Sequence, residues 1–184
     1  MADEFELIDA ELQAWIAAQP VFFVASAPLA GDGFVNCSPK GMDSLRVLGS
    51  REVAYLDLTG SGAETIAHVR ENGRLVLMLC AFAGPPRIVR LHGTARVVLP
   101  HEADWSALRA RFPDHIGARA IVHVALRRIS DSCGYAVPLM ELRGERDVLT
   151  RWSEVRGDAG LAAYRKEKNA RSLDGLPAID PTAD

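Results

Sequence analysis

Residues 55–93, YLDLTGSGAETIAHVRENGRLVLMLCAFAGPPRIVRLHG, decide how the rest of the chain is read. The segment VAYLDL (53–58) is a short run of β-prone residues that Thr59, Gly60, Ser61 and Gly62 bring to a stop. Ser61 and Glu64 stand three apart, the spacing of a capping box, so a helix is expected to open at Ser61. Ile66 and Val69 give that helix one apolar stripe, and Gly73 after Asn72 supplies a left-handed stop. From Leu75 to Phe82 nearly every residue is apolar, the pattern of a strand buried on both faces. Gly84, Pro85 and Pro86 make the next turn. Beyond Ile88 the chain alternates, with Arg90, His92, Thr94 and Arg96 on one face and Val89, Leu91, Ala95 and Val97 on the other. A helix start with free amides beside two glycines is also a ready anion site.

Upstream, Phe5, Ile8, Leu12, Trp15 and Ile16 recur at helical spacing behind an acidic first turn, and Pro20 stops the helix. Residues 21–27 read as a strand, and the loop 28–33 returns it into a second strand at 34–38, which Pro39 ends or bulges. Lys40 and Gly41 follow at that opening, and LRVL (45–48) is a further short strand. Downstream, a helix over 103–112 carries Trp105 and Leu108 inward, and a last long strand covers 119–129. About seven short strands with few helices favour a small antiparallel barrel flanked by helices. Residues 144–168 read as two polar helices, and 169–177 as a turn-rich tail. Leu173, Leu176 and Ile179 punctuate that tail, so it is expected to dock on the barrel or on a partner subunit. The division is a barrel domain with its N-terminal helix at 1–142 and a helical extension at 143–184.

Composition bounds the function. The chain has 184 residues, enough for one domain, and its 48% hydrophobic and 24% charged content is that of an ordinary globular protein. A net charge of −3 argues against nucleic acid as main partner, because phosphate neutralisation needs a basic face. No apolar run approaches the ~20 residues of a membrane span. The acidic start MADEFELIDAE lacks the basic region of a signal peptide, so a cytoplasmic location is expected. Cys37, Cys80 and Cys133 share no metal-like spacing and read as reduced, mostly buried thiols. His68 and His123 read as structural histidines, and no His/Cys/Asp/Glu set has zinc or iron spacing. Cys133, in a Ser-Cys-Gly-Tyr turn, has no base adjacent in sequence and is not taken as a nucleophile.

The motifs VNCSPKG (35–41), LTGS (58–61), TIAHVREN (65–72), PRIVRLHG (86–93) and SCGYAVP (132–138) follow one another in an order that resembles the pyridoxamine 5′-phosphate oxidase-like flavin-binding split barrels. The similarity covers roughly residues 20 to 138 and rests on the order of the motifs more than on any one of them. The resemblance implies a mainly β (α+β) fold, a six-stranded antiparallel split β-barrel with flanking helices and a helical C-terminal extension. It also implies a homodimer with FMN in a groove at the subunit interface. FMN needs its phosphate held, its ribityl chain hydrogen-bonded and its ring system sandwiched. Ser61, Thr65 and the amides of Gly60 and Gly62 are candidates for the phosphate, Lys40 for its counter-charge, and Ser38 and Pro39 for the neighbourhood of the ring. Arg90 ranks ahead of Arg87, because residues three apart in a regular strand face opposite ways.

Two departures separate the chain from the family's true oxidases. Those enzymes carry basic residues directly after the serine that matches Ser61, where this chain has Gly62 and Ala63. They also end in a segment with tryptophan and arginine that holds the vitamin, and SLDGLPAIDPTAD does not match it. The expectation is an uncharacterised branch: a flavin-dependent oxidoreductase acting on an unidentified small molecule, not an oxidase of pyridoxamine phosphate. A non-catalytic flavin-binding or sensing protein, and a split barrel holding deazaflavin F420 or haem, remain open beside it. Asn169, Ser172 and Asp174 are polar enough either to close over a ligand or to cap the barrel.

Overall fold

In the computed structural model, which describes residues 3–179, the chain runs β1 (Glu4–Phe5), α1 (Ala10–Ala17), β2 (Phe22–Ser26), β3 (Asn36–Lys40), β4 (Leu45–Gly49), β5 (Glu52–Leu58), α2 (Glu64–Asn72), β6 (Arg74–Cys80), β7 (Ile88–Val98), α3 (Trp105–Arg109), β8 (Ala118–Ser132) and α4 (Val148–Lys168). The first two residues of the acidic N-terminus and the end of the tail, 180–184, lie outside the described residues. All pairings among the named strands are antiparallel. The sheet runs β3-β2-β6-β7-β8-β5-β4, with β1 added on β8 through Glu4↔Ser130 and Phe5↔Ile129. It coils around a core without closing, leaving β3 and β4 as its ends. This is the α+β split barrel that the resemblance implies, with eight strands in place of six. Phe5, which helical spacing puts in the first helix, forms β1 instead.

The main core sits between the curved sheet and α1. Val24, Tyr55, Leu77, Leu91, Val124 and Ile129 are buried in it, and α1 adds Leu12 and Ile16. Each such side chain stabilises the fold by roughly 1.5–3 kcal/mol relative to exposure. α1 starts where Asp9 accepts from the Leu12 amide at 2.8 Å. A second cluster (Ala54, Leu56, Val98, Phe112 and Ile121) lies on the outer face, covered partly by Trp105 and Leu108 of α3. The strand buried on both faces is therefore β5, with Val53 and Tyr55 in one cluster and Ala54 and Leu56 in the other. In β6, by contrast, Leu75, Leu77 and Leu79 are buried while Val76 and Met78 stay half-exposed.

Local chemistry sets the ends of the elements. Strand β3 continues through Pro39 to Lys40. It can do so because it is an edge strand, where a missing amide hydrogen costs no ladder bond. α2 begins at Glu64 with Ala63 as its N-cap and no side-chain cap, so the capping box expected from Ser61 does not form. Glu64 occupies the first helical position, not the third, and its carboxylate folds over Gly62; a Cβ there would stand 2.2 Å from Glu64 Oε2. The helix ends at Gly73, whose φ of 69° lets its amide reach the Val69 carbonyl at 2.9 Å. α4 is two helices meeting at Gly157, where φ is 59° and ψ −179°. That break folds Trp152 onto Tyr164, edge to face at 5.0 Å between ring centroids.

The tail lies against α2. Ala178 and Ile179 pack with Ala63, Ile66, Ala67, Leu99 and Ala120, supported by Leu176. Arg70 donates to the Ala178 carbonyl. Leu173 takes no part and is exposed. Two of the three cysteines, Cys37 and Cys133, are exposed, and only Cys80 is buried, which corrects the expectation of mostly buried thiols. Among the described residues no helix is long and apolar enough to cross a membrane, and no group of three His, Cys, Asp or Glu residues could hold a metal ion.

Candidate functional site

The turn between β5 and α2 is held by charge from beneath. Asp57, the one charged residue inside the apolar run of β5, accepts from Lys40 Nζ at 2.8 Å and from Arg119 Nε at 2.7 Å. Burial alone would raise the Asp57 pKa, but Arg119 and then Lys40 outweigh it and hold the carboxyl at about 2. One carboxylate against two cations leaves this cluster net positive. The same burial, helped by the Asp57 charge, pushes the neighbouring Tyr55 phenol well above its ordinary range and keeps it neutral.

Arg119 also donates to the carbonyls of Gly60 (3.4 Å) and Gly62 (2.8 Å). From the extension, Asn169 Nδ2 donates to the Gly60 carbonyl at 2.9 Å, and Arg165 Nε to Thr59 Oγ1 at 2.9 Å. The carbonyls of Gly60 and Gly62 are thus engaged. The amides of Gly62, Ala63, Glu64 and Thr65 have no hydrogen-bond partner among the described residues. Unpaired amides at a helix start, with the helix dipole behind them and net positive charge below, attract an anion.

A second polar group lies beside this turn. Asn36 Nδ2 donates to Thr65 Oγ1 at 2.9 Å, and Ser38 Oγ donates to Asn36 Oδ1 at 3.0 Å. Ser26 Oγ meets Nδ1 of the fully buried His68 at 3.0 Å. The other ring nitrogen of His68 has no hydrogen-bond partner among the described residues and lies 3.8 Å from Asp174, whose carboxylate takes the Phe34 amide at 3.3 Å. Asp174 therefore ties the tail to the start of β3.

The structure brings Gly60, Ser61, Gly62, Thr65 and Lys40 to one turn and its footing, and joins Ser38 to Thr65 through Asn36. Pro39 lies between Ser38 and Lys40 on β3, opposite Phe23. The two candidate arginines contact other partners. Arg87 pairs with Asp131 at 3.0 Å and stacks over Phe5 and Trp15, while Arg90 donates to Ser132 Oγ at 3.0 Å. Neither touches a residue of the 59–63 turn. Sequence reasoning missed Asp57 and Arg119. The available signal was a charge inside or beside an apolar strand, which is rarely buried unless paired.

Next to the turn opens a cleft of about 1280 Å³ between the barrel and the extension. Gly60 and Ser61 line it beside Phe23, Phe82 and Leu142 of the barrel part, with Leu149 and Trp152 on the extension side.

Comparison with known proteins agrees with this architecture. The family model described as pyridoxamine 5′-phosphate oxidase matches residues 8–133. A pyridoxamine 5′-phosphate oxidase family protein of Aspergillus flavus, ustO, is 38% identical over 192 aligned positions, covering 95% of this chain and 77% of that protein. Among solved structures, HupZ of Group A Streptococcus superposes with a TM-score of 0.54 at 22% identity, over 68% of this chain and 99% of its own. A putative pyridoxamine 5′-phosphate oxidase of Lactobacillus delbrueckii gives 0.51 at 17% identity, over 68% of this chain and 97% of its own. At such identities the solved structures speak for the fold alone. The family model stops at residue 133, whereas the fungal similarity takes in most of the extension as well. With a family model over two thirds of its length and a relative 38% identical across 95% of it behind the same split barrel, the chain belongs to the pyridoxamine 5′-phosphate oxidase family.

Proposed function

We propose that the protein binds a flavin, FMN, and acts as a flavin-dependent oxidoreductase on a small molecule, working as a homodimer in the cytoplasm with the cofactor at the subunit interface. The observation that carries this reading is the turn at 59–63. Its Gly60 and Gly62 carbonyls are engaged by Arg119 and Asn169, and the amides from Gly62 to Thr65 are left for an anion above a net positive cluster. The donor set fits a phosphate through the backbone amides of Gly62, Ala63, Glu64 and Thr65 and the hydroxyl of the exposed Ser61. It does so without the basic residues that the family's true oxidases carry after that serine. Lys40 supplies electrostatic support and is not a direct salt-bridge partner, because Asp57 already holds it. Arg87 and Arg90, still candidates for contacts to the flavin, would have to leave Asp131 and Ser132 to reach it. Ser38 and Pro39, on the neighbouring edge strand, stand where a ring could lie along β3.

A bound flavin would supply hydride or single-electron transfer, and the protein's share is binding, orientation and exclusion of water. Family membership supports the flavin. The exposed apolar side chains of Leu29, Phe34 and Val35, beside the unpaired edge of β3, support a second subunit there.

The absorption spectrum of the purified protein tests the cofactor. Bands near about 370 and 450 nm, with FMN in the supernatant after heat denaturation, are the expected result. A single band near about 420 nm would replace FMN by a deazaflavin, and an intense Soret band would replace it by haem. Stopped-flow reduction by NADH or NADPH then tests turnover. A flavin that no reductant bleaches would leave a binding protein in place of an oxidoreductase.

A further inference from the structure

We propose that the cleft between barrel and extension binds an uncharged, flat, apolar organic molecule, which on the flavin reading above is the substrate. The walls come from both parts of the chain: Val21, Phe23 and Phe82 from the barrel side, Leu142 from the segment that leads into the extension, and Leu149 and Trp152 from the extension itself. At about 1280 Å³ the space exceeds the roughly 300–1,000 Å³ of a pocket for a drug-sized ligand, so a cofactor's edge and a substrate fit together. The Trp152–Tyr164 pair, set by the break at Gly157, gives the extension side an aromatic surface, stiffened by Arg156 stacked 4.0 Å from the Trp152 ring centroid. Apart from the Tyr164 phenol, the ionisable lining residues are Glu141, Glu145 and Arg146, and all three are exposed. No other lining side chain is charged, so away from the turn at Gly60 and Ser61 a charged ligand would lose water without gaining a charged partner.

The cleft is also shaped, not a chance gap. Met42, on its barrel side, has φ of 59°, a left-handed conformation uncommon for a residue with a side chain, and Asp43 follows with φ of 52°. Three contacts hold this turn. Arg46 grips Asp43 with both terminal nitrogens at 2.7 and 2.8 Å, His115 Nε2 meets the Met42 carbonyl at 3.0 Å, and Ser44 Oγ donates to the Gly41 carbonyl at 2.6 Å. On the other side, the Met140 amide donates to the Phe82 carbonyl at 2.8 Å and anchors the extension at a fixed distance from the barrel. Leu142 and Val148 lie beyond that anchor, more than half exposed. A concave space between two parts of one chain suits a small molecule better than the convex face of a second copy.

Nile red, neutral, planar and apolar, is the probe. Fluorescence titration of the purified full-length protein is expected to show saturable binding, with quenching of tryptophan emission. Leu142→Glu and Val148→Glu, at exposed positions where the fold is not at risk, are expected to weaken binding at least tenfold and leave the 450 nm flavin band unchanged. Pyridoxamine 5′-phosphate, an anion, is expected not to displace the probe. Unsaturable binding, or equal affinity in both variants, would overturn the proposal. Loss of flavin together with the probe would make the cleft the cofactor's own chamber and overturn it too. So would a Leu142→Glu protein that falls from dimer to monomer with probe binding intact, since that assigns this face to a second copy. A wild type without flavin that still binds the probe in a Leu142-dependent way would support the cleft while removing the flavin reading.

Discussion

Asp57 is a single carboxylate, 1% exposed, facing two cations inside the barrel. Its worth depends on pH with a definite sign. The unfolded carboxyl titrates near 3.8 and the folded one near about 2, so the folded state favours the ionised form. The resulting stabilisation, roughly 2 kcal/mol, is fully present above the unfolded value and is lost as pH falls from about 4 through about 2. Acid unfolding followed by circular dichroism is therefore expected to begin in that window. In Asp57→Asn this contribution is missing at every pH, and the stability curve between pH 4 and 2 is correspondingly flatter. At neutral pH the same variant strands Lys40 and Arg119 together without a counter-charge. A loss of about 3–5 kcal/mol in urea denaturation is expected, because removing one partner of a buried set leaves uncompensated charge. A variant within 1 kcal/mol of wild type would show that water already reaches the cluster.

At the scale of elements, α2 and the extension depend on each other. The helix lacks a side-chain cap, and its first turn is covered by Ala178 and Ile179 of the tail and braced by Asn169 and Arg165 from the end of α4. Ala178→Asp, at a position 1% exposed, would bury an unpaired carboxylate and is expected to cost more than about 2 kcal/mol. Hydrogen exchange should then speed up in α2 while β7 and β8 keep their protection. Leu173→Asp, three residues before Leu176 of the packed tail and itself 77% exposed, is expected to change neither. Asn169→Ala removes one donor from the Gly60 carbonyl at a fully buried position. It is expected to weaken flavin binding by three- to tenfold with a stability loss of about 1 kcal/mol, measured by titrating apoprotein with FMN. Equal affinities would separate the extension from the cofactor site. The helix start was misread in sequence because Ser61 and Glu64 have capping-box spacing, whereas tertiary contacts from Arg119 and Asn169 hold the turn and the helix opens only at Glu64.

Over the whole molecule, the barrel was legible because two-residue alternation, as at Val89, Leu91, Arg90 and His92, reports directly which side chains face the core. The packing of α1, the stop at Gly73 and the long last strand were readable from equally local patterns. What joins distant segments was not. The Asp57–Arg119 pair spans 62 positions, the Asn169–Gly60 bond 109, and the cleft arises only when residues near 20, 60, 82 and 142–164 come together. The proposed second subunit would belong to this same class, and the face offered for it is read only from exposure: Leu29, Phe34 and Val35 are 63%, 65% and 75% exposed beside the free edge of β3. If that face pairs with its copy, light scattering should give a mass near twice 20.0 kDa. Val35→Asp introduces a charge where no side chain packs within the subunit, so circular dichroism should be unchanged while like charges meet across the interface. A monomer is then expected, and with it loss of the 450 nm band, since the cofactor is proposed to sit between subunits. A Val35→Asp dimer that keeps its flavin would move the interface to another face, and a monomer that keeps its flavin would place the whole cofactor site within one chain.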